Sequence, residues 1–409
     1  MQKKVGRSGN SGPKIRSDCE VIIEKRESGG ITVDLESKVL PLFGKSIESQ
    51  CRELMQYFRI SGALITIKDS GALPFVISAR IEAAVRQIKE DIDEYLPDMS
   101  EKNLYDTDRD RSRLSRLYLP GNTPGLMINA GLHEADGIIL DLEDSVAPGR
   151  KDEARLLVRN VLRVVDFYGA ERMVRINQGK RGIEDLKFTV PHHVNLILIP
   201  KCESAEEVRI IDKEISVIRE EHKISNPVYL MPIIESARGV ENAFEIAGSS
   251  GNVVAVAIGL EDYTADIGVT RSDEGLESLY ARTRLVNAAN AAGVQPIDSV
   301  FSDVADAEGL RRTVRLSKSI GFAGMGCIHP RQVRIIREGY SPDNEEIEKA
   351  MKIVIAFREA SEKGLGVVAL GSKMIDPPVV ARAQKTIELA IKLGLLSAYW
   401  LKEQAGNSV

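Results

Sequence analysis

Short apolar runs recur eight times between residues 117 and 330, and longer amphipathic segments separate them. This alternation is typical of repeated βα units around a parallel sheet. The runs cover residues 117–121, 137–144, 173–177, 196–201, 228–235, 253–262, 294–300 and 321–330. Eight strands in a stretch of about 230 residues fit a closed barrel. An open doubly wound sheet would also hold eight strands, but no GxGxxG turn follows the first run. We therefore predict an α/β fold, a (β/α)8 TIM barrel.

The rest of the chain divides around a polar segment that is rich in charge and lacks apolar periodicity. Two strand-like and two helix-like runs precede it, which predicts a small α+β domain. The first twelve residues are basic and glycine-rich, and we expect them to be disordered. The predicted units are an α+β domain at 13–97, a linker at 98–113, the barrel at 114–340 and a C-terminal helical extension at 341–409.

Charge and cysteine content limit the classes of partner. The 409 residues include 55 basic and 60 acidic side chains, a formal charge of -5, so nothing favours binding to nucleic acid or a membrane surface. The four cysteines form no CxxC pair, which argues against a zinc site and a disulfide framework. No signal peptide or transmembrane run is recognisable. We expect a cytoplasmic protein with small ligands.

Side chains that bind or transfer charge follow six of the eight runs. The carboxyl ends of barrel strands form the functional face of this fold, so we expect these side chains to share one active site. A single strand-end carboxylate is more often a salt-bridge partner or a helix cap, and it is the convergence that indicates a site. The candidates are Asp141, Glu143, Asp144, Arg175, Asn177, Lys201, Glu235, Glu261, Asp262 and His329.

Two of these carboxylates suggest a metal site. Glu235 and Asp262 offer oxygen donors without a nearby cysteine or histidine pair, and such donors suit Mg2+. The alternative is that each pairs with an arginine, for which Arg238 and Arg271 are close in sequence. Arg175 offers a planar cation for a carboxylate or a developing oxyanion, and it also neutralises the acidic stretch DLED.

A second unusual segment follows the barrel. In GSKMIDPP, Gly371 and Ser372 lead to Asp376, and two prolines come directly after it. Proline fixes the backbone, so the carboxylate is presented from a rigid loop. On sequence alone, an N-cap role for Asp376 in the following helix is the simpler interpretation.

Together these strings resemble a known family. LYLPGN, ILDLEDSVAPGRKDEAR, VRIN, PIIESARGV, GLEDYTADIG and GFAGMGCIHPRQ are similar to the citrate lyase beta subunit and the related malyl-CoA and citramalyl-CoA lyases of the HpcH/HpaI aldolase family. GSKMIDPPVVARAQ resembles the C-terminal segment of the longer lyases, whose aspartate is a catalytic acid or base supplied by a neighbouring subunit of a trimer. GALITIKDSGALPFVISARIEAAVRQ is similar to the citrate lyase acyl carrier subunit, which carries a phosphoribosyl-dephospho-CoA arm on a serine.

The resemblance implies roles for individual residues. These are Mg2+ binding by Glu235 and Asp262, substrate binding by Arg175, Tyr118, Asp144 and Lys201, catalysis by Arg175 and Asp376, and attachment of the arm at Ser17, or at position 16 in an alternative register.

The chain departs from the family pattern at three places. The position of a usual family arginine holds Leu114, with Arg113 and Arg116 nearby, and Gly125 replaces a lysine of some CoA lyases. Related pyruvate aldolases have Asp-x-x-His after the second strand, where this chain has two aspartates. The resemblance therefore disfavours pyruvate aldolase chemistry and ordinary recognition of CoA.

The predicted function is a Mg2+-dependent retro-Claisen cleavage. A citryl-, malyl- or citramalyl-type thioester, on CoA or on a carrier arm, would yield a 2-oxo acid and an acyl thioester. The expected assembly is a homotrimer, with other citrate lyase-type subunits as further candidate partners. The alternative is a non-catalytic carrier or scaffold that binds an acyl thioester. The sequence leaves open which acyl group is used, whether CoA or the carrier domain presents it, and whether Ser17 is modified.

Overall fold

The computed structural model of the protein describes residues 4–272, 274–362, 364, 366–370 and 373–406. The strands are β1 Val5–Ser8, β2 Cys19–Lys25, β3 Ile31–Ser37, β4 Ala63–Asp69, β5 Ser115–Pro120, β6 Gly137–Asp141, β7 Glu171–Arg175, β8 Leu196–Ile199, β9 Tyr229–Ile234, β10 Ala255–Ile258, β11 Gln295–Asp298, β12 Gly324–Cys327, β13 Val368–Leu370 and β14 Lys373–Ile375.

Helices cover most of the remaining chain. They are α1 Leu40–Tyr57, α2 Pro74–Arg86, α3 Pro124–Met127, α4 Lys151–Val164, α5 Gly179–Lys187, α6 Ala205–Glu221, α7 Ala237–Glu241, α8 Ala243–Ala247, α9 Leu260–Asp266, α10 Leu276–Ala292, α11 Ala307–Ile320, α12 Pro330–Tyr340, α13 Asn344–Glu362, α14 Pro377–Lys392 and α15 Trp400–Gly406. Short 3-10 turns lie at Glu101–Asn103, Ala130–His133, Pro148–Arg150 and Val190–His192. No helix in the described part of the chain is long and apolar enough to cross a bilayer.

Strands β5 to β12 close into a parallel barrel in chain order, with β12 pairing back onto β5. The predicted (β/α)8 fold is therefore confirmed, and the open sheet is excluded. Every second residue of a strand faces the interior, where apolar side chains such as Ile139, Met173, Leu198, Met231 and Ile233 pack together. The remaining strand residues pack against the surrounding helices.

The N-terminal domain is a four-stranded sheet in the order β1-β2-β4-β3, covered by α1 and α2. The predicted disorder of the N-terminus is wrong at Val5–Ser8, which pairs antiparallel with β2. The half-exposed edge strand Ile31–Ser37 was not predicted either, because charged residues alternate with its apolar ones. The second helix ends at Arg86, about ten residues before the end of the predicted run.

Helix α2 joins the two domains. Its residues Phe75, Val76 and Ala79 pack into the barrel core, whereas Ile77 and Ile81 pack against the N-terminal sheet. Because apolar side chains of both domains pack against α2, the charged side chains of this helix are buried between the domains. Each then needs a partner of opposite charge.

Two ion pairs satisfy those charges. Arg80 donates to both carboxylate oxygens of Asp18 at 2.9 and 3.0 Å. Arg159 of the barrel helix α4 donates to both oxygens of Glu82 at 3.1 and 2.6 Å. The pair of Arg159 and Glu82 spans the two domains and thus fixes the N-terminal domain against the barrel.

The predicted linker is packed on the barrel wall. Asn103 donates to the carbonyl oxygens of Leu162 and Val165, and the buried Arg113 binds both oxygens of Glu171 at 2.7 and 2.8 Å. Its polar composition therefore reflects specific hydrogen bonds to the base of the barrel.

The C-terminal extension has its own apolar cluster, in which Ile353, Ile375, Val380 and Trp400 pack together. The C-terminal end of α14 touches the base of the barrel, where Lys392 donates to the carbonyl oxygen of Asp110 at 3.0 Å. Gly371 and Ser372 of the predicted segment lie outside the described residues. Helix α14 spans 16 residues, or about 24 Å, so its first turn lies far from this contact.

Candidate active site

A cavity of about 290 Å³ opens at the carboxyl ends of the barrel strands. Six of the predicted or candidate residues line it together: Tyr118, Asp141, Arg175, Glu235, Glu261 and Asp262. They come from five different βα units, which explains why no single sequence motif contains them. The expected convergence at this face is what the structure shows.

Glu235 follows β9 directly and is only 5% exposed. Its Oε2 atom is buried and has no hydrogen-bond partner among the described residues. Burial raises the pKa of Glu235 to about 8, and the negative charge of Asp262 contributes to the same shift. Gly259 makes room for this carboxylate, because an added Cβ would lie 2.7 Å from Glu235 Oε1. A buried, unpaired carboxylate beside a second one is an arrangement that a cation would stabilise.

Asp262 lies in the first turn of α9, not at the end of a strand as the sequence had suggested. The strand β10 ends at Ile258, and Gly259 turns the chain into the helix. The Asp262 carboxylate is 48% exposed and lies 3.8 Å from the Lys201 ammonium. The alternative pairing with Arg271 is wrong, since Arg271 instead binds Glu261 at 2.7 Å.

Arg175 is held by carboxylates on the neighbouring strand end. Its Nε and one terminal nitrogen each donate to Asp141 at 2.7 Å, and Glu143 lies 3.2 Å from the other terminal nitrogen. Burial lowers the pKa of Arg175, but the hydrogen-bonded Asp141 outweighs this effect and the net shift is upward. The guanidinium also lies 5.4 Å from the centre of the Tyr118 ring. A permanently charged fork is therefore fixed in the cavity wall.

Asp144 and Lys201 are not part of the cavity lining. Their charged groups face each other at 3.1 Å, and the Lys201 ammonium lies 3.2 Å from Glu143. Lys201 has a φ of 49°, a left-handed conformation that orients the side chain toward this acidic group. The two residues predicted to bind substrate directly thus form an ion pair just outside the cavity.

Other predicted or candidate residues lie elsewhere. Asp376 caps α14 by accepting a hydrogen bond from the Val379 N–H at 3.1 Å, and it does not line the cavity of its own chain. His329 likewise caps α12, through Nδ1 and the Arg331 N–H. Ser17 lies on the loop between β1 and β2 with a φ of 56°. The structure of one chain therefore brings together the metal and arginine candidates but not Asp376.

Several cavity residues were not predicted. Arg116 and Gly326 lie on strand interiors, and Ser299 positions α9 by accepting a hydrogen bond from the Leu260 N–H at 3.1 Å. The inward direction of Arg116 follows from its spacing of two from Tyr118, which was the one available sequence signal. What its head group contacts depends on neighbouring strands that the local sequence does not reveal.

Glu235 and Asp262 together fit a Mg2+ ion. Among the described residues, no group of three or more Asp, Glu, His or Cys side chains could hold a metal. Mg2+ commonly binds proteins through one or two carboxylates and keeps water or substrate oxygens at its other positions. The orphaned Oε2 of Glu235 and the exposed Asp262 satisfy this requirement.

The closed barrel with a charged cavity at the carboxyl ends of its strands places the chain among the TIM-barrel proteins, and sequence comparison identifies the family. The profile described as HpcH/HpaI aldolase/citrate lyase matches residues 114–330, and the chain belongs to this family. A second profile, for the acyl carrier family described as malonate decarboxylase delta subunit (MdcD), matches residues 10–88. Both predicted resemblances are confirmed.

Relatives with known activities cover most of the chain. The citrate lyase subunit beta of Leuconostoc mesenteroides subsp. cremoris is 38% identical over 309 residues, which are 73% of this chain and 98% of that protein. The mitochondrial citramalyl-CoA lyase of Homo sapiens is 35% identical over 293 residues, 69% of this chain and 86% of that protein. These relatives confirm the predicted enzyme class, a carbon–carbon lyase.

A solved structure of the same family gives a further comparison. The protein CitE of Mycobacterium tuberculosis, crystallised with magnesium, acetoacetate and coenzyme A, is 29% identical and aligns with a TM-score of 0.57. The alignment covers 69% of this chain and 99% of that one. A second structure of that protein, with magnesium and pyruvate, aligns with a TM-score of 0.51 at 27% identity.

Proposed function

We propose that this chain is a Mg2+-dependent lyase that cleaves a 3-hydroxyacyl thioester of the citryl, malyl or citramalyl type. The products are a 2-oxo acid and an acyl thioester. The observation that carries this proposal is the pair of carboxylates in one cavity, the buried Glu235 and the exposed Asp262, beside the fixed cation of Arg175. Relatives crystallised with magnesium and a small oxo acid support the same assignment.

Glu235 and Asp262 would hold the metal. When bound, Mg2+ supplies Lewis-acid stabilisation of the oxygen that becomes the carbonyl of the 2-oxo acid. Lys201, 3.8 Å from Asp262 and paired with Asp144, orients the exposed ligand and limits its motion. The ion pair outside the cavity therefore positions Asp262 rather than contacting substrate.

Arg175 and Tyr118 would serve the other half of the reaction. Scission of the carbon–carbon bond leaves its electron pair on the thioester fragment as an enolate, whose oxygen needs a positive partner. Arg175 presents a positive charge to the cavity, and Asp141 fixes the orientation of its guanidinium by accepting two hydrogen bonds of 2.7 Å. Tyr118 packs beside the guanidinium and completes this wall.

Asp376 would take the proton of the substrate hydroxyl and return it to the enolate carbon, and it would come from another chain. In its own chain it caps α14, away from the cavity. A site completed across subunits supports the homotrimer implied by the family resemblance.

The N-terminal domain would carry the substrate on a prosthetic arm at Ser17. The loop before Ser17 lies against the first βα loop of the barrel, since a Cβ on Gly125 would be 2.9 Å from the Arg16 carbonyl oxygen. The position of a CoA-binding lysine in some relatives is thus covered by the carrier domain. This contact favours a carrier-bound thioester over free CoA, in a protein whose four buried, unpaired cysteines suit the cytoplasm.

Intact mass tests the arm. After expression together with carrier-modifying enzymes, we expect the wild-type chain to gain the mass of one phosphoribosyl-dephospho-CoA group and Ser17→Ala to gain none. The same added mass on Ser17→Ala would place the attachment elsewhere, and an unmodified wild type would remove the carrier role.

The lyase assignment is tested with Asp262→Asn. We expect this variant to keep its fold and lose Mg2+-dependent turnover of all three thioester types, because a neutral amide is a poor Mg2+ ligand. Asp152→Asn is the matched control, since that side chain is 77% exposed on α4. Normal activity of Asp262→Asn would remove the metal assignment.

A further inference from the structure

Arg116 occupies an unusual place inside the barrel. It lies on β5 two residues before Tyr118, so its side chain points into the interior. Its neighbours in register are glycines on both sides, Gly137 of β6 and Gly326 of β12. A Cβ on Gly137 would lie 2.5 Å from the end of Met173 and 3.4 Å from Arg116 Cγ, so the glycine keeps this part of the interior open for both side chains.

The guanidinium of Arg116 has no carboxylate partner within the part of the chain that the structure describes. The residue is 1% exposed, its Nε has no hydrogen-bond partner, and one terminal nitrogen contacts the Met231 sulfur at 2.9 Å. Two other fully buried arginines are satisfied differently: Arg113 binds Glu171 and Arg159 binds Glu82. An unpaired buried charge is strongly unfavourable, and a bound anion would remove this cost.

The cavity reaches this residue. Arg116, Ile233, Ala257 and Gly326 all line it. Ile233 lies two residues before Glu235, and Ala257 pairs with Ile233 in register. Met231, which the guanidinium contacts, lies four residues before Glu235, or about 13 Å along the strand, so Arg116 belongs to the floor below the carboxylate pair. The floor is apolar apart from this one cation.

The two ends of the proposed substrate have different requirements. The thioester is attached to a long arm, so it must leave through the open mouth of the cavity. The 2-oxo acid portion is therefore the part that reaches the floor. A second carboxylate on that portion would extend from the metal toward the guanidinium, a partner whose planar fork fits a carboxylate.

We propose that Arg116 is a specificity-determining residue that binds the second carboxylate of a dicarboxylic 2-oxo acid portion. This inference rests on the proposed lyase function and deepens it, because it selects citryl-type thioesters over malyl and citramalyl types. The oxo acids released from the latter two carry only the carboxylate that remains near the metal.

Binding of the oxo acid tests the inference without turnover. Titration calorimetry with Mg2+ compares oxaloacetate with pyruvate, which lacks only the second carboxylate. We expect the wild type to bind oxaloacetate more tightly by about 100-fold, the scale of a buried charge pair. Arg116→Met, which keeps the length without the charge, is expected to lose this preference and to leave pyruvate binding unchanged.

A second variant guards against failure of Arg116→Met to fold. Arg116→Lys keeps the charge but not the planar fork, and we expect the preference to fall about tenfold while its direction remains. Equal binding of both acids by the wild type, or an unchanged preference in either variant, would overturn the role of Arg116 alone. If neither acid binds the wild type with Mg2+, the proposed function fails together with it.

Discussion

The Glu235 carboxyl is protonated at neutral pH in the metal-free protein, because burial and Asp262 raise its pKa to about 8. The folded state keeps this proton up to about pH 8, whereas the unfolded chain releases it near the ordinary value of 4.5. The folded state therefore binds more protons in this window, and the free energy of unfolding falls as pH rises through it.

Glu235→Gln removes this titration. At pH 8.5, with a chelator present to remove metal ions, we expect the free energy of unfolding of the variant to exceed that of the wild type by a few kcal/mol. Each pKa unit corresponds to about 1.4 kcal/mol. The difference from wild type is expected to be small at pH 5. Urea unfolding at both pH values measures it, with the 70% exposed Glu308→Gln as control. If the difference in free energy of unfolding between Glu235→Gln and the wild type does not grow with pH, the raised pKa is contradicted.

Individual residues differ in how far the sequence predicts their place. Arg175 and Glu235 were predictable because strand direction alone carries them to the functional rim, whereas Tyr118 was predicted only through the family resemblance. Arg238 and Arg271 were plausible partners by proximity in sequence, yet Arg271 binds Glu261 because the loop after α9 folds back toward it. Contacts between side chains on different loops require the tertiary arrangement.

Among the elements, the junction between β10 and α9 controls the metal site. Gly259 has a φ of -108°, which other residues also adopt, so its requirement is steric. A methyl group there would meet Glu235 at 2.7 Å, with the adjoining strands leaving little freedom to move.

We therefore expect Gly259→Ala to weaken Mg2+ binding about tenfold or more without unfolding the barrel, as displaced metal ligands are costly. Calorimetric titration with Mg2+ measures the affinity. Gly251→Ala is the matched control, because an added Cβ meets nothing within 4 Å there. Equal affinity in the two variants would show that Glu235 adjusts freely.

The prediction of elements succeeded where the apolar period was strong and failed at edges and junctions. All eight barrel strands fall within or beside the predicted runs, since they are buried on both sides. The sixth run was read through Asp262, although the strand ends at Ile258, because LEDYTAD continues the apolar pattern as a helix. The strand Val5–Ser8 gave no signal, as only four residues pair at the sheet edge.

At the scale of the whole molecule, the carrier-like domain is a fixed part of the enzyme. Helix α2 contributes to both apolar cores, and the buried pair of Glu82 and Arg159 spans the two domains at 2.6 Å. If the domain carries the proposed arm, delivery of substrate would therefore rely on movement of the arm, with the domain itself remaining in place. Composition did not predict this, because the polar segment 98–113 resembled a flexible linker.

The proposed sharing of one active site between two chains can be tested only in the assembled oligomer. Asp376 lies at the first turn of α14, whose other end touches the base of the barrel. If a neighbouring chain supplies this carboxylate, chains with different defects complement each other. In random trimers of Asp262→Asn and Asp376→Asn, about one site in four combines an intact Asp262 with an intact Asp376.

Co-expression of the two inactive variants is accordingly expected to restore about a quarter of the wild-type turnover per site. The control is a mixture of Asp262→Asn with Glu235→Gln, since these two carboxylates line the same cavity of one chain. That mixture also contains chains with a single defect each, but no site has both carboxylates, so it remains inactive. Recovery in the control, or none in the first mixture, would show that the site is not shared in this way.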